Sequence, residues 1–375
     1  MAKAIYAFSG DPIHYGHIDI IKRAGRIFDE VIVGIGENPD KKYMFGLEER
    51  MKMAEKSLEG VHNARVTSFK GLLVDYAYEQ NIPAIIKAIR NNSDTEYEKM
   101  LHQAGESQKL NIDTFLLFAR PELSHISSSA VKAVQKEHGM IHEYVPLHVK
   151  QALESCMSGQ YIIGITGEIG AGKSYISQKF LKIGKAREIK VHNIEIDQIG
   201  HQILEELREP IYQKTRKEII RRFGKAVELG NGYINRKALG EIVFNNPEKL
   251  KELNRIMEKP IEVRLKRELY GKKGIILLNA ALIAESEMAY LCNNNVVLVT
   301  ADKKSQQRRL RERGLNQKQI ERRLKSQYNS KEKREKLEKI IKKDNHGKIW
   351  VMNNSDGLNE SKKIFEEIVA ELMAK

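Results

Sequence analysis

The sequence predicts two consecutive α/β domains, each a parallel β-sheet covered by helices. Three observations carry that prediction. Short aliphatic or β-branched runs alternate with amphipathic stretches, the signature of strand–helix–strand units. The alternation stops at a short polar stretch, Cys156-Met157-Ser158-Gly159-Gln160, and then starts again. With 375 residues, 41% of them hydrophobic and 30% charged, the chain can bury two cores and keep a polar surface.

In the first half, Ala4–Phe8, Val31–Ile35, Arg65–Phe69, Ala84–Ala88 and Thr114–Phe118 read as buried strands. Ile18–Phe28, Leu47–Leu58, Leu72–Glu79, Thr95–Glu106 and Ser127–Glu137 read as the helices, with a last helix at about Leu147–Ser155. This gives a domain over residues 1–155, a linker over 156–160 and a second domain over 161–375. In the second domain Tyr161–Ile165, Val191–Ile196, Gly274–Leu278, Val296–Thr300 and Lys348–Met352 are the expected strands. Helices are expected at Lys173–Leu181, through a middle section over about 198–270, and from Asn359 to Met373.

Composition narrows the class further. Two distant cysteines, Cys156 and Cys292, exclude a disulfide scaffold and a cysteine-rich zinc module. The start, MAKAIYAFSGDP, lacks the pattern of a signal peptide, and no run approaches a membrane span, so a cytoplasmic protein without membrane partners is expected. Charge is uneven: residues 1–155 carry 19 Lys+Arg against 21 Asp+Glu, whereas residues 156–375 carry 45 against 29. Lys303 to Lys343 alone holds 17 basic and 5 acidic residues. Such a helical window reads as a nucleic-acid patch, a solvated face, or a basic flap over a polyphosphate. The first of these is disfavoured because the surplus is confined to one segment.

Gly167-Glu168-Ile169-Gly170-Ala171-Gly172-Lys173-Ser174 matches G-x-x-x-x-G-K-[ST] between an apolar strand and a helix. The glycines let backbone N–H groups cradle a phosphate, Lys173 reaches the β- and γ-phosphates, and the Ser174 hydroxyl suits Mg²⁺. Asp197, at the expected end of the second strand, can take a proton from a substrate hydroxyl, organise Mg²⁺ through water, or cap the following helix. Arg309 and Arg313, four residues apart on one helical face, can cover a transferring phosphoryl group as part of a lid.

Residues 161–375 resemble dephospho-CoA kinase. The resemblance rests on the P-loop, Asp197, Arg222-Phe223-Gly224, Gly232-Tyr233-Ile234-Asn235-Arg236 with Leu239 and Val243-Phe244, Gln307-Arg308-Arg309-Leu310 with Arg313, Arg323 with Gln327, and Asn353-Asn354. It implies a three-layer P-loop kinase domain with a helical insertion and lid, transferring the ATP γ-phosphoryl group to the 3′-hydroxyl of dephospho-CoA. The sequence departs from the family pattern at Glu195-Ile196-Asp197, Lys259-Pro260 and Ala281-Leu282-Ile283-Ala284-Glu285, all expected on the acceptor side.

In the first half, Asp11-Pro12-Ile13-His14-Tyr15-Gly16-His17 lies between the first strand and a helix. His17 at a helix start can hydrogen-bond an α-phosphate or simply cap the helix. Ile126-Ser127-Ser128-Ser129 opens the last long helix, where three hydroxyls can cap it or donate to a polyphosphate. Residues 1–155 resemble bacterial phosphopantetheine adenylyltransferase through these motifs and through Gly16–Ile20, Lys41–Phe45, Leu47–Arg50 and Glu96-Tyr97-Glu98. The resemblance implies a Rossmann-like nucleotidyltransferase sheet. By position, Ser9 would touch both substrates, His17 would stabilise the α-phosphate, and Lys41, Leu73 and Lys87 would hold 4′-phosphopantetheine. Ser9, Gly10, Ala88, Ile89, Arg90, Glu98, Ser127, Ser128 and Ser129 would hold ATP. The family's Gly-Thr-Phe-Asp-Pro reads Phe8-Ser9-Gly10-Asp11-Pro12 here, and its Arg-Gly-Leu-Arg reads Lys87-Ala88-Ile89-Arg90.

The two resemblances together imply the last two steps of coenzyme A synthesis, with ATP as co-substrate, Mg²⁺ as cofactor and homo-oligomers through the first domain. The alternative is a fused nicotinamide-nucleotide adenylyltransferase and nucleoside kinase.

Overall fold

The computed structural model describes residues 2–38, 41–243, 246–317, 320–321, 324, 328–355 and 360–373. Phe244, Arg323 and Gln327, three of the positions that carry the kinase resemblance, lie outside them. The chain divides into two compact units, Met1–Lys150 and Gln151–Lys375. Residues 156–160, expected as a linker, comprise the end of a π-helical turn (Glu154–Ser158), a left-handed Gly159 and the first residue of a strand.

The first unit alternates β1 (Lys3–Phe8), α1 (Tyr15–Ala24), β2 (Glu30–Gly36), α2 (Leu47–Ser57), β3 (Ala64–Phe69), α3 (Leu73–Glu79), β4 (Ala84–Ile89), α4 (Asn92–Glu106), β5 (Asp113–Phe118) and α5 (Ser128–Lys136). A further helix, α6 (Leu147–Leu153), carries the division between the units. The five strands are parallel in the order β3-β2-β1-β4-β5. Chain order reverses between β1 and β4, so the carboxyl ends of these two strands flank a crevice, where open α/β sheets bind ligands. Ile5, Ile32, Ala77, Ile82 and Ile85 pack the core between sheet and helices. Helix starts follow their caps: the side chain of Asn91 accepts from Asp94 N, and that of Ser127 from Ala130 N.

One expectation fails here. Thr114–Phe118 reads as a buried strand, yet Phe115, Leu116 and Phe118 are 47%, 47% and 69% exposed. β5 is an edge strand, so an apolar run that would be covered at the sheet centre keeps only one neighbour.

The second unit begins with β6 (Gln160–Gly167), α7 (Lys173–Ala186), β7 (Val191–Glu195) and α8 (Ile196–Glu205). Asp197 therefore lies in the first turn of α8 and not at the end of a strand, because β7 stops at Glu195. The helices α9 (Pro210–Phe223), α10 (Arg236–Val243) and α11 (Pro247–Leu269) form the helical middle section. Then come β8 (Gly274–Asn279), β9 (Asn295–Thr300), α12 (Lys303–Glu312), α13 (Ser330–Asp344), β10 (Lys348–Asn353) and α14 (Ser361–Met373). These strands are also parallel, in the order β10-β9-β6-β8-β7. The P-loop strand β6 is thus central, and Ile163, Ile165, Phe180, Leu277, Val297, Trp350 and Phe365 pack around it. Among the described residues no helix is long and apolar enough to cross a membrane.

Candidate active sites

In the first unit a cleft of about 680 Å³ opens at the ends of β1 and β4. Its walls include Ser9, Gly10, His17, Lys41, Lys87, Ala88, Arg90, Glu98 and Ser127 to Ser129. The structure therefore gathers eleven sequence-separated candidates into one space. Two candidates lie elsewhere. Ile89 is buried and does not line the cleft. Leu73 lines a second, more apolar cavity of about 260 Å³, which shares Lys87 and Glu98 with the cleft.

The cleft is held open by buried polar anchors. Arg50, 1% exposed, donates to the carbonyls of Ser9 (2.6 Å) and Gly36 (3.1 Å) and stacks on Tyr43 (4.0 Å from the guanidinium carbon to the ring centroid). Asp11 accepts from Met44 N, Phe45 N and the Lys132 ammonium (2.8 Å). Together these fix both the loop after β1 and the Lys41–Phe45 segment. Lys42 and Lys132 also line the cleft and were not singled out from sequence. The spacing of Lys132, three residues after Ser129 and so on one face of α5, was the available signal.

His17 sits in the first turn of α1, stacked between Phe8 (4.1 Å) and His14 (3.6 Å). Its Nδ1 accepts from His14 N at 3.3 Å, which assigns the ring proton to Nε2. Burial holds its pKa well below the usual histidine range, with smaller contributions from His14 and Arg90. His17 is therefore a neutral ring with one N–H to donate. Of the three serines, Ser127 caps α5 and Ser128 donates to the carbonyl of Pro12 (2.9 Å), while Ser129 is exposed in the cleft. Lys87 pairs with Glu98 (2.8 Å), and Arg90 pairs with Asp94 through two bonds of 2.9 and 3.0 Å.

Burial also lowers His14 to about 3 and His148 to about 4. The unfolded chain, with histidines near 6.5, then binds more protons below that pH than the folded unit does. Stability is full above about pH 6.5 and falls on acidification, by up to about 1.4 kcal/mol per group per pH unit. The temperature at which the full chain loses adenylyl transfer is expected to drop as the incubation pH goes from about 7.5 to about 5. An unchanged temperature would mean that these rings are not held neutral.

In the second unit the P-loop joins β6 to α7. Two of its glycines are required by space: a Cβ on Gly167 (φ +152°) would lie 2.2 Å from Val299 O, and one on Gly172 (φ +98°) 2.2 Å from Asn354 Nδ2. Lys173 Nζ donates to Gly167 O at 3.1 Å. Burial lowers its pKa to about 8, while Asp197 acts in the opposite direction. Ser174 is exposed beside it at the start of α7. Asp197 accepts from Ala281 N at 3.2 Å. On the same face of α8, His201 contacts Arg236 (2.6 Å), which also pairs with Glu205 (3.0 Å).

Arg309 is placed differently from the expected lid arginine. Its guanidinium donates to the carbonyls of Gly170, Ala171 and Asn354 at 3.3, 3.1 and 2.6 Å, and Asn354 Nδ2 donates to Ala171 O at 2.8 Å. It braces the back of the P-loop. With Arg313 it also walls a cleft of about 460 Å³ that includes Gly172, Tyr175, Lys179 and Asn354. Tyr175 and Lys179, at i and i+4 on α7, were missed because nothing in the P-loop pattern extends past Ser174.

Among the described residues no group of three or more His, Cys, Asp or Glu is placed to hold a metal ion. The donor set that fits Mg²⁺ is the Ser174 hydroxyl together with the oxygens of a bound polyphosphate.

Comparison with known proteins finds a family for each unit. The dephospho-CoA kinase family model matches residues 161–349, half of the chain, and the cytidylyltransferase-like model matches residues 9–134. The chain is 45% identical over 146 residues to a phosphopantetheine adenylyltransferase of Clostridium novyi, covering 39% of this chain and 91% of that one. It is also 45% identical over 155 residues to that of Alkaliphilus metalliredigens, 41% of this chain and 98% of that one. A solved dephospho-CoA kinase from Campylobacter jejuni is 21% identical, with a TM-score of 0.34, over 57% of this chain and 97% of that one. Through its first unit the chain belongs to the phosphopantetheine adenylyltransferases, and through its second to the dephospho-CoA kinases.

Proposed function

We propose residue roles for a bifunctional transferase that carries out the last two steps of coenzyme A synthesis. The observation that carries this reading is that each unit gathers its own cluster of basic groups at the start of a helix, one around His17 and one around Lys173, in families whose reactions are consecutive. In the first reaction a phosphate oxygen of 4′-phosphopantetheine attacks the α-phosphorus of ATP. The bond to the β-phosphate breaks, and pyrophosphate leaves with the electron pair. No protein nucleophile is needed, so positioning and charge neutralisation supply the rate. His17 Nε2–H donates to an α-phosphate oxygen, and Lys41, Lys42, Lys87, Arg90 and Lys132 offset the gathered negative charge. The apolar cavity beside Leu73 takes the pantetheine arm, and Lys87 marks its junction with the phosphate cleft.

In the second reaction the ribose 3′-hydroxyl of dephospho-CoA attacks the γ-phosphorus of a second ATP, the bond from that phosphorus to the β,γ-bridging oxygen breaks, and ADP leaves with the electron pair. Lys173 and the N–H groups of the P-loop hold the β- and γ-phosphates, and Asp197 takes the hydroxyl proton. The cleft beside Tyr175, Arg309 and Arg313 receives the nucleoside end of ATP. Bound Mg²⁺, held by Ser174 and phosphate oxygens, would neutralise charge on the transferred group. The exposed Phe115, Leu116 and Phe118 on the edge strand β5 support a homo-oligomer formed through the first unit. The adenylyltransferase relatives favour phosphopantetheine over a nicotinamide mononucleotide as acceptor. A location in the cytoplasm suits a chain whose two cysteines, Cys156 and Cys292, lie far apart in sequence.

Incubating the purified protein with ATP, Mg²⁺ and 4′-phosphopantetheine, then reading products by mass, tests the whole scheme. Coenzyme A is the expected product. Accumulation of dephospho-CoA alone would remove the second activity, and turnover of nicotinamide mononucleotide in its place would overturn the first.

A further inference from the structure

Lys333 lies on α13, inside the most basic stretch of the chain, yet its side chain is fully buried. A buried ammonium costs several kcal/mol of desolvation, which a single ion pair seldom more than offsets. An apolar residue would fill the same space more cheaply. The surroundings of this ammonium therefore matter. Its Nζ donates to the carbonyl of Ala281 at 2.7 Å and pairs with Glu285, whose side chain is itself 8% exposed. The carbonyl of Ala281 also accepts from Thr166 Oγ1 at 3.2 Å. The N–H of the same residue donates to Asp197 Oδ2. One residue thus receives Lys333 on one side and holds the Asp197 carboxylate on the other.

The start of α13 is fixed at the same place. Glu168, the second residue of the P-loop, accepts from both Ser330 N and Ser330 Oγ, and its other oxygen accepts from Gln306 Nε2 of α12 at 3.3 Å. Glu285 likewise accepts from Tyr328 N at 3.2 Å. The seat of α13 is therefore made of P-loop and of the residue that orients Asp197.

We propose that Lys333 is a positioning residue for phosphoryl transfer: through Ala281 it sets the Asp197 carboxylate, so that the proton acceptor is in place when α13 is seated on the P-loop. The proposal rests on the reading of Asp197 as that acceptor. Lys333 touches neither substrate nor reacting atoms in this scheme, so its removal acts on turnover and not on nucleotide binding.

The test uses full-length Lys333→Met, Asp197→Asn and the combined variant, assayed with ATP, Mg²⁺ and dephospho-CoA, with ATP affinity measured separately by calorimetry. Lys333→Met is expected to lower kcat about tenfold or more while the ATP dissociation constant stays within about twofold. In the Asp197→Asn background, Lys333→Met is expected to cause no further loss, because the two act as one unit. An unchanged kcat in Lys333→Met, with Asp197→Asn inactive, overturns the proposal and leaves the base assignment standing. Full turnover in Asp197→Asn overturns the base assignment, and the proposal with it. A loss of kcat matched by an equal loss of ATP affinity also overturns it, since Lys333 would then only support the P-loop. If the lone Glu285 carboxylate unfolds the second unit in Lys333→Met, Lys333→Met/Glu285→Gln removes both charges, and the same kcat-against-affinity split is read there.

Discussion

Replacing Lys173 by alanine is expected to lower phosphorylation of dephospho-CoA by about 10³-fold or more while adenylyl transfer proceeds at its normal rate. The physical reason is the placement of the ammonium. It lies folded on the P-loop with its pKa lowered to about 8 by burial, so a bound triphosphate gains a partner with little competing solvent. A methyl group leaves the β- and γ-phosphate charge without that partner in the transition state. The mass spectrum of a reaction started from 4′-phosphopantetheine should then stop at dephospho-CoA. Arrest of both reactions in a folded variant would show that the two sites are not separate. Because burial lowers this lysine to about 8, the free site is about half charged near that pH and loses the rest of its charge above it. ATP binding there should take up a proton, and affinity should fall as the pH rises through that value.

His17→Ala is expected to do the reverse: adenylyl transfer falls about 10²- to 10³-fold, and phosphorylation of supplied dephospho-CoA is unchanged. The ring is a preorganised donor, held by stacking on Phe8 and His14 and by the bond from His14 N to its Nδ1. Its pKa lies well below the usual range, so it donates as a neutral group and the rate should show no inflection from it between about pH 6 and 8. A histidine that acted as a charged acid would instead give a loss of rate through that interval. Steady-state rates with saturating ATP, measured across that range for the unaltered protein and the variant, separate the two cases.

Much of this arrangement was legible in the residues, for reasons that differ between sites. The P-loop is eight contiguous residues whose chemistry is local, so a pattern of glycines, Lys173 and Ser174 is enough to mark a candidate phosphate site. The parallel strands were legible because aliphatic runs of five or six residues alternate with helical periodicity. What escaped was set by distance along the chain. An apolar run reads the same at the centre of a sheet as at its edge, which is why Thr114–Phe118 looked buried. Lys333 sits in a run of charges that argues for a solvated face, and only the fold shows its ammonium between Ala281 and Glu285. The spacing of Arg309 and Arg313 marks both as candidate phosphate-binding cations. The partners of Arg309, the carbonyls of Gly170, Ala171 and Asn354, leave no mark in local sequence. Asp197 is marked by its position after an apolar strand, but that strand ends one residue before the expected Ile196, because Ile196 carries the apolar pattern into α8.

The bond from Asn354 to Ala171 joins residues 183 positions apart, and Arg309 reaches the same carbonyl across 138. On a ribosome these intervals become time. At roughly 5–20 residues per second, the P-loop emerges some ten seconds or more before the asparagine that braces it. The cleft around His17 is complete once the first unit, ending at Lys150, has left the exit tunnel, since its walls come from Tyr6 to Lys132 and the N–H of Tyr15 donates to Tyr144 O. A nascent chain thus acquires its two reactions in the order in which the pathway uses them, with the first site finished while the second still waits for its last strand.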